Sequence, residues 1–344
     1  MNLKSLAFQI ANDFDVYVLK KDSRICGSHL YKKRGEKMEK KSGTKRHKTV
    51  KYDYWGYIFI APFFIAFLVF SLIPLITTIG NSFFETYRDG LKQVGPNFVG
   101  LKNYYTVFFA SELPKYAWNT FVMWILGFVP QIVFSLVLSV LFTDTELKLK
   151  CRQFFKTVIY MPNLIMASAF AMLFFMLFAD SGPVNSILLG MGHAEPYRFL
   201  FNKNSVRSLV ALMNLLMWYG NTTLLLMSGI MGINESVFEA ARIDGAGPLT
   251  MFFKITLPQL KPIFVYVLIT SLIGGIQMFD VPQVLTNGYG QPDRTSMTLI
   301  MYLNKHLFSK NYGMAGAVSV LIFAVTAVFS GFVYKFTMKE NIGK

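Results

Sequence analysis

Cut at every Asp, Glu, Lys and Arg, the chain leaves six uncharged runs of 18 or more residues, at 54–84, 116–143, 157–179, 208–234, 262–279 and 311–334. The next longest, 181–194, has 14 residues and is interrupted by glycine and proline. A helix rises about 1.5 Å per residue and the hydrocarbon core of a bilayer is about 30 Å thick, so each of the six runs is long enough to cross. The pattern predicts an all-α polytopic membrane protein with six transmembrane helices. Polar loops punctuated by glycine and proline separate the runs, notably "NFVGLKNYYTVF" at 97–108, "GPVNSILLGMG" at 182–192 and "TNGYGQPDRTS" at 286–296. None of these is large enough to hold an enzyme domain.

Composition agrees with that pattern. Of the 344 residues, 53% are hydrophobic and 15% charged, against about 25% charged in soluble domains. The net charge of +15 changes the picture through its distribution. Lys and Arg number 24 in the N-terminal segment, the second-to-third and fourth-to-fifth loops and the C-terminal tail, against 10 in the other three loops. By the positive-inside rule the first set faces the cytoplasm, and six spans then place both termini there. The charge lies in flanks rather than on one folded face, which argues against a nucleic-acid surface. Cys26 and Cys151 both fall on the cytoplasmic side, so no structural disulfide is expected. The four histidines show no metal-ligand spacing.

Residues 1–53 form a basic, solvated N-terminal tail without a compact apolar core and cleavage site, so the N-terminus is expected to stay where it is made. A start at Met38 would give "MEKKSGTKRHKTVKYDYWGY", a more ordinary lead-in to a first span, and would leave 1–37 untranslated. Residues 54–337 make the transmembrane domain, and 338–344 a short cytoplasmic tail.

One stretch on the cytoplasmic side is unlike a plain connector: "EAARIDGAGPLTMFFKITLP", residues 239–258. Ser236 and Glu239 have the capping-box spacing. Gly245 suits a helix stop in a left-handed conformation, and Pro248 the first turn of a second helix. That helix runs through Leu249, Phe252, Phe253 and Leu257 until Pro258 and Pro262 end it. Its apolar face must lie on the inner leaflet, pack back on the bundle, or dock in a groove of a soluble partner.

The stretch resembles the EAA loop of ATP-binding-cassette (ABC) importer permeases: Glu-Ala-Ala, three residues, Gly, nine residues, Ile-x-Leu-Pro. Glu239, Ala240, Ala241, Gly245, Ile255, Leu257 and Pro258 fall on that pattern, and Asp244 opens the "DGA" of its sugar and glycerol-phosphate branch. Further segments are similar to the maltose-type carbohydrate permeases: "NFVGLKNY", "AWNTFVMW", "FFKTVIYMPNLI" and "MFDVPQVLTNGYGQPDRTS". Two features depart from that family: its Thr-x-Gly-Gly-Pro becomes "TNGYGQP", and a Trp often seen in the third span is missing.

The resemblance implies a type I ABC importer bundle in a bacterial inner membrane. Its partners would be a second homologous permease, two cytoplasmic ATP-binding subunits, an external solute-binding protein and a sugar. The chain would carry no cofactor, because ATP and Mg²⁺ belong to the ATPase, and it contains no G-x-x-x-x-G-K-[ST] phosphate loop. The loop at 235–258 would couple to the ATPase, with Leu249, Phe252 and Phe253 filling the ATPase cleft and Glu239, Ala240, Ala241, Asp244, Gly245 and Pro258 setting its geometry.

Within the spans, away from their ends, the polar residues are neutral: Gln131, Asn214, Trp218, Tyr219, Asn221, Thr222, Thr223, Tyr266 and Gln277. Amides suit hydroxyls and aromatic faces suit the C–H face of a sugar, although such residues also serve as interhelical glue. Asn214, Trp218, Tyr219, Asn221 and Gln277 are the candidates for a substrate path, and Asp280 for a structural cap beyond the fifth span. A glycerol-phosphate substrate would call for basic residues in the path, and an ion-coupled transporter for a mid-span acid. Neither feature is seen. A membrane enzyme would need grouped catalytic residues, and none occur.

Overall fold

The computed structural model describes residues 53–144, 147 and 150–338. Expectations about the basic tail, Met38 and the residues after 338 lie outside them. Among the described residues, five helices are long and apolar enough to cross a membrane, and a sixth crossing takes the form of a bent pair.

The first span runs through α1 (Asp53–Phe67), a π-helical turn (Leu68–Leu72) and α2 (Ile73–Ser82). The Ile73 N–H bonds to the Leu68 carbonyl, five residues back, and Pro74 follows directly. A proline ring crowds the carbonyl four residues before it and supplies no N–H, and the wider turn relieves both problems. The same device recurs at Phe252–Thr256, where the Leu257 N–H reaches the Phe252 carbonyl and Pro258 follows. Pro258 therefore sits in the last turn of a helical run that ends at Gln259, before Leu260 turns the chain into the helix that starts at Lys261, close to where the prolines are expected to end it.

An antiparallel hairpin, β1 (Phe84–Asp89) and β2 (Lys92–Phe98), adds a strand pair to an otherwise helical chain. Helix α3 (Lys102–Phe109) clips its base: the buried Asn103 carboxamide donates to the Ser82 and Phe84 carbonyls, each at 2.9 Å.

Helices α4 (Leu113–Thr143) and α8 (Lys203–Met231) form the most extensive helix pair. Both start at the hairpin end. Gly127 lies against the Ala211 backbone, the Gln131 amide donates to the Thr222 hydroxyl at 2.8 Å, and the Ser135 hydroxyl donates to the Tyr219 carbonyl at 2.9 Å. Buried small and amide side chains of this kind hold helices together where apolar burial gives no preference for one helix over lipid.

The third crossing is not one straight helix. It divides into α5 (Arg152–Leu164) and α6 (Ala167–Leu177), bent by 90°. Ile165 and Met166 are extended between them (ψ 134° and 130°), Pro162 removes an N–H just before, and the Asn163 carboxamide turns away to donate to the Met217 carbonyl at 3.1 Å. The expected turn-rich segment at 182–192 contains α7 (Pro183–Gly190).

After α8 come α9 (Glu235–Ile243), α10 (Pro248–Met251), the second π turn, α11 (Leu257–Gln259), α12 (Lys261–Ile276), α13 (Asp280–Leu285), α14 (Leu299–Phe308) and α15 (Tyr312–Met338). Phe279 occupies the cap position of α13 and Asp280 its first residue, with no side-chain cap bond. The capping role expected of Asp280 is thus replaced by a charge at a helix N-terminus.

Two buried apolar clusters fill the hairpin half of the bundle, one around Met123, Met213 and Leu285, the other around Val107, Tyr116 and Val318. The loop at 286–298 is latched over them. Arg207 donates through Nε to the Thr295 carbonyl at 2.9 Å and through Nη2 to Asn119 Oδ1, and Asn119 donates to the Arg294 carbonyl at 2.9 Å. The Thr120 hydroxyl accepts the Leu299 N–H at 3.1 Å. Arg294 in turn pairs with Glu112 at 3.0 Å, and the Tyr116 hydroxyl and Arg294 together hold the Glu112 carboxyl below its ordinary range. Replacing Arg207 by Ala strands the Asn119 carbonyl oxygen and a loop carbonyl at a cost of about 3 kcal/mol. Limited proteolysis should then cleave the 286–298 loop several times faster than in the wild type.

Candidate functional site

Midway along the bundle, α4, α8 and α12 enclose a cavity of about 330 Å³. Helix α8 supplies Asn214, Trp218, Asn221 and Thr222, and the first three recur at spacings of four and three along one face. Helix α4 contributes Trp124, Phe128 and Gln131. Helix α12 contributes Tyr266, Thr270, Ser271 and the pair Gly274 and Gly275. No Asp, Glu, Lys, Arg or His lines the space.

The hydrogen bonds separate polar groups that hold helices from those left for a ligand. Gln131 and Thr222 are buried and bonded to each other, so they are interhelical glue. Trp124 donates from Nε1 to the Ser271 hydroxyl at 3.0 Å and packs against Gly275, where any Cβ would come within 2.2 Å of the indole. Asn214 spends its amide on the Val210 carbonyl at 2.9 Å and a long contact to Met278 Sδ, and among the described residues its carbonyl oxygen has no hydrogen-bond donor. Among the described residues, neither the Asn221 carboxamide nor the Trp218 indole N–H has a partner within hydrogen-bond distance, and both face the cavity. One carboxamide, one amide oxygen and one indole N–H are therefore available, between aromatic walls.

Of the five sequence candidates for the path, Asn214, Trp218 and Asn221 meet here. Tyr219 does not: one residue on from Trp218, it is turned about 100° around the helix axis, and its carbonyl accepts from Ser135 and Thr223. Gln277 caps α12 and is exposed, outside the cavity lining. Sequence patterns missed Trp124, Phe128 and Ser271. The Trp124 to Ser271 bond spans 147 residues, and no local signal reveals such a pairing.

At the opposite end from the hairpin, α9 and α10 form the loop that drew attention in the sequence. Asn234 caps α9, its side-chain oxygen accepting the Ser236 N–H at 3.1 Å and the Ser236 hydroxyl at 3.0 Å. This corrects the capping box on Ser236 and Glu239: Asn234 lies two residues earlier, and its carboxamide takes the orphan donor first. Helix α9 ends as expected at Gly245, with φ +78°. The Gly245 N–H bonds to the Arg242 carbonyl at 3.0 Å and the Ala246 N–H to the Ala241 carbonyl at 2.9 Å, a Schellman closure. Pro248 opens α10. Ala241 is buried, while Glu239, Ala240, Asp244 and Pro258 are exposed. Leu249 is 74% and Phe253 60% exposed. Phe252 is half-buried, with its ring edge-on to Phe253 at 4.9 Å. Ile243, not singled out in the sequence, is the most exposed apolar side chain of the loop.

Residues 117–339 match the family model described as binding-protein-dependent transport system inner membrane component. The chain belongs to that family. The permease is 33% identical over 279 residues to the arabinooligosaccharides transport system permease protein AraP of Bacillus subtilis, covering 80% of this chain and 85% of that protein. It is 29% identical to the lactose transport system permease protein LacF of Rhizobium radiobacter, covering 84% and 95%. It is 28% identical to the trehalose/maltose transport system permease protein MalF of Thermococcus litoralis, covering 80% and 90%. Its fold matches that of a bacterial ABC transporter involved in the import of the acidic polysaccharide alginate, with a TM-score of 0.73 at 23% identity, over 86% of the permease and 98% of that chain.

In the permease, the "NT" pair of the second span has a structural role: together with Arg207 and Glu112, Asn119 holds the 286–298 loop, and Thr120 holds the Leu299 N–H just after it. As a permease subunit it is a transporter component and not an enzyme.

Proposed function

We propose that the permease forms half of the path by which an ATP-driven, binding-protein-dependent importer of the bacterial inner membrane takes up a neutral sugar or oligosaccharide. The observation that carries this is the uncharged cavity between α4, α8 and α12, with the unbonded Asn221 carboxamide, Asn214 oxygen and Trp218 N–H between aromatic walls. Sugars present hydroxyls around a ring whose C–H face is apolar, and such a site meets both. The curated relatives above, named for arabinooligosaccharides, lactose and trehalose or maltose, support the same substrate class. An acidic saccharide would leave its carboxylates without a cation here.

The positive-inside count puts the α9 end and both termini in the cytoplasm and the hairpin end outside. Exposed Leu249 and Phe253, with half-buried Phe252, then offer an apolar helix face to a cleft of an ATP-binding subunit. A second homologous permease, two ATP-binding subunits and an external solute-binding protein complete the importer.

Uptake of labelled neutral saccharides by cells carrying the whole importer tests the substrate class. Asn221→Ala removes both ends of a hydrogen-bonding amide and should lower uptake about tenfold; unchanged uptake would take the cavity out of the path. Purification of the tagged permease in mild detergent tests the coupling. Wild type should bring down an ATPase and a second permease, and Phe252→Ala/Phe253→Ala should lose most of the ATPase while keeping the second permease.

A further inference from the structure

Four rings on α4 form an unbroken series. Centroids are 5.9 Å apart from Trp118 to Phe121, 5.8 Å from Phe121 to Trp124, and 5.3 Å from Trp124 to Phe128, the last pair stacked at 16°. Trp124 and Phe128 line the cavity. Trp118 (62% exposed) and Phe121 (42%) continue the series toward the hairpin end.

At about 100° per residue, Phe121, Trp124 and Phe128 share one side of α4, and the exposed aliphatic residues Leu126, Val133 and Val137 lie on the opposite side. Trp118 lies between these two sides, about 20° around the helix from the exposed Val129, so the aromatic surface runs from the edge of the aliphatic one, at the hairpin end, into the cavity. A belt of interfacial aromatics would stop at the depth of the headgroups. This series does not stop there, and its third ring is fixed by the Trp124 to Ser271 hydrogen bond and by the close approach of Gly275.

We propose that the series is a stacking track, resting on the carbohydrate assignment above, that passes the rings of an oligosaccharide from the hairpin-end mouth into the cavity. The slightly positive C–H face of a sugar packs on the negative face of an aromatic ring. Each such contact is weak and non-directional, so a sugar ring can leave one rung as it meets the next. A cavity of about 330 Å³ has room for one or two sugar rings. Trp118 and Phe121 therefore act on chains too long to fit inside it, and the track sets a preference for chain length.

The test is uptake of labelled malto- and arabino-oligosaccharides of one to six units by cells carrying the complete importer. Trp118→Ala/Phe121→Ala should lower the ratio of hexasaccharide to disaccharide uptake about tenfold, Trp118→Tyr/Phe121→Tyr should keep it, and Asn221→Ala should lower both sugars with the ratio unchanged. In a background with Cys26 and Cys151 replaced by Ser, Phe121→Cys should react with a membrane-impermeant maleimide and be protected by the hexasaccharide, while Val133→Cys stays unreactive. An unchanged ratio, or a Phe121→Cys as unreactive as Val133→Cys, overturns the track and assigns these rings to lipid or to the second permease. Failure of wild type to take up any of these sugars above a deletion strain overturns the carbohydrate assignment instead.

Discussion

Gly220→Ala is expected to lower the thermal midpoint of the purified permease in detergent by on the order of 10 °C. Gly220 is where α8 crosses α5, and a Cβ there would stand 2.2 Å from the Ile159 carbonyl oxygen and 3.0 Å from the Tyr160 Cα. Both obstacles are backbone, so no side-chain rotation can make room and the two helices must separate by roughly 1 Å. Separation also strains the Asn163 bond to the Met217 carbonyl, which holds the chain where α5 turns into α6. The cost, about 3 kcal/mol, is a large share of a typical folding free energy. Gly80→Ala is the control: it also lies within a helix, nothing stands within 4 Å of its added Cβ, and it should hold or raise the midpoint through better helix propensity. Equal midpoints for the two variants would mean that α5 and α8 do not pack as described.

Gly245→Val is expected to reduce uptake at least about tenfold while leaving the amount of permease in the membrane near the wild-type level. Here the added side chain meets nothing within 4 Å, so the whole effect comes from the backbone. At φ +78° an L-residue crowds its own carbonyl, at a cost of about 1–2 kcal/mol, and a β-branched one suffers more. The chain escapes by giving up the bonds from Gly245 to Arg242 and from Ala246 to Ala241. The last turn of α9 then unwinds, and α10 loses the direction that presents Leu249 and Phe253. Gly245→Asn, which tolerates the left-handed region, should recover most of the uptake. Equal uptake by Val and wild type would show that the turn is not needed for coupling.

The contrast between these glycines shows what can be read along a chain. Gly245 announces itself locally, between a helical pattern and Pro248. Gly220 looks like any other glycine in an apolar run, and its importance arises only because Ile159 and Tyr160, some sixty positions earlier, cross at that point. The cavity divides in the same way. Asn214, Trp218 and Asn221 are legible together because helical periodicity places them on one face, but periodicity alone did not separate Trp218 from Tyr219, since both faces of α8 carry polar or aromatic residues.

By itself the sequence determined the number of the crossings, because an uncharged run long enough to span is set by bilayer thickness. It also determined the helix, turn and proline order of the loop at 235–258, because caps and stops act over a few residues. Only the tertiary structure decided the 90° break at Ile165 and Met166, the crossing of α5 and α8 at Gly220, and the pairing of α4 and α12 across the cavity. Each of these depends on which of several locally acceptable partners lies within hydrogen-bonding or van der Waals reach, and that distance is set by the packing of helices far apart in the chain.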